Sequence, residues 1–150
     1  MKVPRGVRRR CVAAIAGVLL FPCLAGAIEV DGLKDFEPLY GRYAPAGDCS
    51  RQPQILVDAA GFTFEVNGAK ERATRVEFAA SYGGNDYQGI TQWFFPFKSA
   101  NGWPILMAFN ANEKPGTLTI DGNDEGWKGG PPLSARNLAL VKGSPYGRCT

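Results

Sequence analysis

The chain has 150 residues, with 17 Lys or Arg, 14 Asp or Glu, four Cys and no histidine. That length is one domain, and a composition 45% hydrophobic and 21% charged is globular, which excludes disordered, collagen-like and coiled-coil organisation. The absence of imidazole excludes Ser/His and Cys/His catalytic pairs, histidine zinc sites and histidine pH switches.

Residues 1–27 have the pattern of a secretory leader. Lys2, Arg5, Arg8, Arg9 and Arg10 form a basic start, Cys11 to Leu24 is an apolar run broken by Gly17 and Pro22, and Ala25-Gly26-Ala27 is a small-x-small cleavage signal. The run is shorter than the roughly 20 residues of a membrane span. The expected product is therefore a single domain, residues 28–150, periplasmic or secreted and without a membrane span. Loss of the five basic leader residues leaves 12 basic against 14 acidic side chains, a net charge of −2. No basic footprint for nucleic acid remains, and a charged partner is expected to be basic. The two remaining cysteines, Cys49 and Cys149, form an even pair in an oxidising compartment, which predicts one disulfide across about 100 residues.

The rest of the chain reads as strands. Leu39 to Tyr43 is the first, after a polar lead whose Leu33, Phe36, Glu37 and Tyr40 spacing permits a helical turn limited by Pro38 and Gly41. Gln54 to Asp58 and Gly61 to Val66 form a hairpin, with Phe62, Phe64 and Val66 on one face and Thr63 and Glu65 on the other. Asn67-Gly68 is a turn, and Arg72 to Ala80 continues as a strand. Tyr87 to Phe97 is the most aromatic segment. Its consecutive Trp93, Phe94 and Phe95 imply either burial on both faces or an exposed aromatic patch. Strands at Trp103 to Phe109, Gly116 to Asp121 and Asn137 to Val141 complete about eight. Short strands with turn signals between them give an all-β domain, a meander-like antiparallel barrel or sandwich.

Three features carry possible chemistry. Asp121-Gly122-Asn123-Asp124-Glu125-Gly126 opens like a calcium loop, but the twelfth position is Pro132 where a bidentate carboxylate is needed, so no metal is expected. Asp121, Asp124 and Trp127 remain as a second surface loop. Scattered carboxylates without a base, a serine elbow or a phosphate-cradling loop do not compose an active site, and neither enzyme activity nor a cofactor is expected. The third feature is Ser81-Tyr82-Gly83-Gly84-Asn85-Asp86-Tyr87, in which glycines allow close approach, Ser81 and Asn85 offer compact hydrogen-bonding groups, and Tyr82 and Tyr87 supply amphipathic contact area.

That loop, in a small exported β domain with one terminal disulfide, resembles the bacterial periplasmic lysozyme inhibitors. Their Ser-Gly-Ser-Gly-x-x-Tyr loop enters the enzyme's cleft and hydrogen-bonds its catalytic carboxylates. Ser81, Gly84 and Tyr87 match the first serine, second glycine and tyrosine of that pattern, whereas Tyr82 and Gly83 replace its first glycine and second serine. Asp86 departs further, since a carboxylate there repels the enzyme's own unless it is turned away or paired. The resemblance implies a barrel that binds a protein partner, of the class of basic cell-wall hydrolases, through Ser81, Tyr82, Gly84, Asn85 and Tyr87. Two other classes fit the composition. One is a small-molecule or lipid barrel with a cavity lined by Phe62, Phe64, Phe78, Trp93, Phe95, Trp103 and Phe109; the other is an envelope structural protein with no discrete site.

Overall fold

The computed structural model describes residues 27–80, 82–100, 102–123 and 133–150. The leader up to residue 26 and the middle of the second surface loop, including Asp124 and Trp127, lie outside the described residues. Among the described residues, ten antiparallel strands form one curled, barrel-like sheet. They are β1 (Ile28–Asp31), β2 (Gly41–Pro45), β3 (Gln54–Asp58), β4 (Gly61–Val66), β5 (Ala69–Ala73), β6 (Arg75–Ala79), β7 (Gln92–Phe95), β8 (Ile105–Phe109), β9 (Thr117–Gly122) and β10 (Tyr146–Arg148). Across the sheet the order is β1-β6-β7-β8-β9-β10-β2-β3-β4-β5. Two meanders, β2 to β5 and β6 to β9, are thus joined side by side through β10, whose Tyr146 stands opposite both Leu118 and Pro45. The expected all-β architecture is present, and its single sheet makes it barrel-like.

Period-2 alternation sends one face of each meander into a common core. Tyr43, Ile55, Val57, Phe62 and Phe64 come from the first meander, and Val76, Phe94, Met107, Phe109, Leu118 and Ile120 from the second. The rings of Phe62, Phe94 and Phe109 meet at centroid separations of 5.4 to 5.7 Å, filling the interior with aromatic contacts. The meanders turn into one another at a tight corner. Gly61 has φ +135°, and a β-carbon there would collide with the Ala73 carbonyl oxygen, so only glycine permits this approach.

Several local expectations change. Leu39 belongs to a 3-10 turn, Glu37–Leu39, and β2 starts at Gly41. The segment Arg72 to Ala80 divides at Thr74, whose carbonyl accepts a 2.7 Å hydrogen bond from the Gly32 amide, so that β5 and β6 pair with different neighbours. The polar lead contains β1, and the C-terminal end supplies β10.

The strand expected at Asn137 to Val141 is instead part of helix α1, Ala135–Gly143. Ser134 caps it, its hydroxyl accepting a 3.2 Å bond from the Asn137 amide. In a strand Leu138 and Leu140 would share a face; in the helix Leu140 is fully buried and Leu138 faces solvent. Cys49 and Cys149 are disulfide-bonded, with Cα atoms 5.8 Å apart, tying the turn after β2 to the residue after β10. Among the described residues no helix is long and apolar enough to cross a membrane.

Candidate functional site

The outer faces of the two meanders differ. On the second, cross-strand pairing sets Ala79 opposite Trp93, Trp93 opposite Ala108, and Ala108 opposite Thr119. A parallel pair of contacts sets Glu77 opposite Phe95 and Leu106 opposite Asp121. Because Phe94 points inward, Trp93 and Phe95 necessarily point outward. The consecutive aromatics of β7 therefore line both faces of the sheet.

Further rings cover them from outside. Tyr82 packs 5.6 Å from Trp93 and 5.9 Å from Phe95, Tyr87 packs 5.0 Å from Trp93, and Trp103 lies 5.5 Å from Phe95. Tyr82 nevertheless keeps 53% of its surface in solvent. Gly83 makes room for this layer, since a β-carbon there would meet Trp93 and Tyr87 at 2.8 Å. The nearby Lys98 is paired with Glu77 at 3.2 Å and lies over Trp103.

Tyr87 is pinned at both ends of its hydroxyl. It donates to Glu113 Oε1 and accepts from the Thr91 amide at 2.8 Å. Glu113 also accepts from the Ile90 amide at 2.7 Å and from the Thr91 hydroxyl at 3.1 Å. These donors, with the Tyr87 hydroxyl foremost, hold the Glu113 carboxyl below the ordinary glutamate range, so it is ionised at neutral pH. Glu113 has φ +58°, a left-handed conformation uncommon for its type, and the surrounding bonds keep it there. Gly89 is required as well, because a β-carbon on it would strike the Tyr87 hydroxyl.

Beside this anchored loop runs a groove of about 450 Å³. Trp93, Leu106 and Ala108 give it an apolar floor, while Thr91, Glu113 and Asp121 are among its polar lining. No described lining residue is basic.

The structure thus divides the expected site residues. Tyr82 and Tyr87 meet at Trp93; Gly84, Asn85 and Asp86 form the exposed tip, closed by a 3.2 Å bond from the Tyr87 amide to the Gly84 carbonyl. Ser81 lies outside the described residues. Asp121, assigned in sequence to a separate loop, is at the end of β9 and lines the same groove as Glu113. The seven aromatics grouped as one cavity lining lie in two layers: Phe62, Phe64 and Phe109 are in the core with Phe78 packed against it, whereas Trp93, Phe95 and Trp103 are outside.

Glu113, Thr91, Leu106 and Ala108 carry no motif in the sequence; the pairing of β8 with β7 and β9 places Leu106 and Ala108, and hydrogen bonds from Ile90 and Thr91 bring in Glu113 of the Ala111–Glu113 turn. Compared with models of protein families, with curated proteins and with solved structures, the chain has no match.

Proposed function

We propose that this chain is an exported binding protein that holds a protein partner on the outer face of the β6 to β9 meander, with a basic cell-wall hydrolase as the partner class. The observation that carries the reading is the exposed Tyr82 ring mounted on Trp93 and Phe95, beside a groove whose charged lining is acidic. A half-exposed tyrosine backed by rigid aromatics is the usual composition of an interface anchor. The acidic lining supports a basic partner through complementary potential.

Within this reading Tyr87 is a positioning residue. Its hydroxyl is occupied by Glu113 and Thr91, which leaves Tyr82 and Asn85 to meet the partner. The disulfide supports maturation outside the reducing cytosol.

The test expresses the chain with residues 1–27 in place and titrates the oxidised product against a panel of lysozymes and other basic cell-wall hydrolases by calorimetry. Saturable binding is expected. Tyr82→Ala should weaken it about 30-fold, the equivalent of a 2 kcal/mol hot spot, with the thermal midpoint preserved. Absence of binding across the panel, or unchanged affinity of Tyr82→Ala, rejects the assignment.

A further inference from the structure

Resting on the partner-binding reading, we infer that the groove beside Tyr87 is a subsite for a single cationic side chain of the partner, an arginine in preference to a lysine. The charged lining residues of the groove are Glu113 and Asp121, and no described lining residue balances them.

The two carboxylates play different parts. Glu113 already accepts three hydrogen bonds and is fixed in place, so it contributes a stationary negative charge. Asp121 is exposed and has no ion-pair partner among the described residues, so its oxygens are available. Its place at the end of β9, opposite Leu106, sets it against an apolar floor.

That combination favours guanidinium. An ammonium is a compact, strongly hydrated charge and loses much of its solvation against Trp93, Leu106 and Ala108. A planar guanidinium is weakly hydrated, lies against aromatic and aliphatic surface, and presents paired N–H donors to a carboxylate. The contrast with the first meander is informative. There Arg72 is bonded to Asp58 at 2.7 and 2.8 Å across the outer face, so the same chemistry is satisfied within the chain. In the groove the Asp121 carboxylate is present and no described lining residue is an arginine, the second meander's Arg75 being bonded to Glu29 instead.

The test uses the intact oxidised chain and two probes, acetyl-Gly-Arg-Gly-amide and its citrulline analogue, which keeps the shape and hydrogen bonding but removes the charge. Amide chemical shifts of Thr91, Ala108, Thr119 and Asp121 are the readout. The arginine peptide should shift them saturably. The citrulline peptide, and the arginine peptide against Asp121→Asn, should each bind about tenfold more weakly, as expected for loss of a charged hydrogen-bonded pair.

Equal shifts from both peptides, or none from either, overturn the subsite. If a hydrolase from the panel still binds Asp121→Asn with undiminished affinity, the subsite falls while the partner reading stands. If the arginine peptide saturates the groove and no hydrolase is captured, the subsite is supported and the partner class is wrong.

Discussion

The two meanders share a core and differ outside. In β2 to β5 most outward side chains are polar and paired with one another: Arg72 with Asp58, Lys70 with Glu65 at 3.5 Å, and Arg42 with the buried Gln54 at 2.6 Å. In β6 to β9 ion pairs occur as well, Glu77 with Lys98 and Arg75 with Glu29, but β7 and β8 turn Trp93, Phe95, Leu106 and Ala108 outward, partly roofed by Tyr82, Tyr87 and Trp103. Both meanders bury the same kind of inner face, so the fold itself does not require the outer aromatics. A sheet with one solvated face ordinarily keeps that face polar, and the concentration of rings on this one is what the proposed contact surface rests on.

The largest effect that tests this contrast comes from the inner face. Phe94→Ala removes a ring in contact with Phe36, Phe62, Phe78 and Phe109, and should cost about 3–5 kcal/mol in denaturant unfolding. A loss no greater than that of an exposed substitution would show that the core is not shared between the meanders.

A smaller effect concerns the anchor of the Tyr82 to Tyr87 loop. Because the Glu113 pKa is depressed in the folded state, its contribution is complete above the ordinary glutamate range and is lost as pH falls through the lowered value. The thermal midpoint of the native chain should therefore fall more steeply in acid than that of Glu113→Gln, and the two curves should converge at low pH. Parallel curves would mean that the Tyr87 to Glu113 contact does not hold the loop.

The smallest effect belongs to the solvated meander. Arg72→Ala breaks an exposed ion pair and should change stability by only about 0.2–1 kcal/mol. It should leave partner affinity unchanged, in contrast to Tyr82→Ala, and a loss of affinity would move the contact surface to the first meander.

How far the sequence discloses this arrangement depends on how local the cause is. The β3–β4 hairpin is legible because Phe62-Thr63-Phe64-Glu65-Val66 alternates cleanly and only Ala59-Ala60 separates it from Gln54 to Asp58, and the structure places both strands at the expected residues; Asn67-Gly68 is the turn that leads on into β5. Trp93-Phe94-Phe95 correctly signals apolar surface on both sides of β7. The helix at Ala135 is misleading because Leu138 and Leu140 imitate a strand, although Ser134 before a run of good helix formers is a cap signal in plain view. The short β1 and β10 have too few residues for a period to show. Their partners, β6 for one and β2 and β9 for the other, are distant in sequence.

The site is less legible than the fold. Tyr82 and Tyr87 stand out from their loop, but Glu113 is in a turn 26 residues from Tyr87, and a hydrogen bond over that distance leaves no spacing rule. Asp121 is visible only as part of an incomplete calcium loop. Its relation to Trp93 comes from strand register, through Ala108 and Thr119.

The position of β10 sets an order of assembly. Its three residues come last of the ten strands and yet occupy the seam between β9 and β2. A chain emerging from its N-terminus therefore presents two complete meanders before the strand that unites them is available. Each can form its own hairpins early, from neighbours close in sequence, but the continuous sheet must wait for Tyr146 to Arg148. The proposed binding face, carried by the second meander and the loops within it, can be laid out before that final seam is closed.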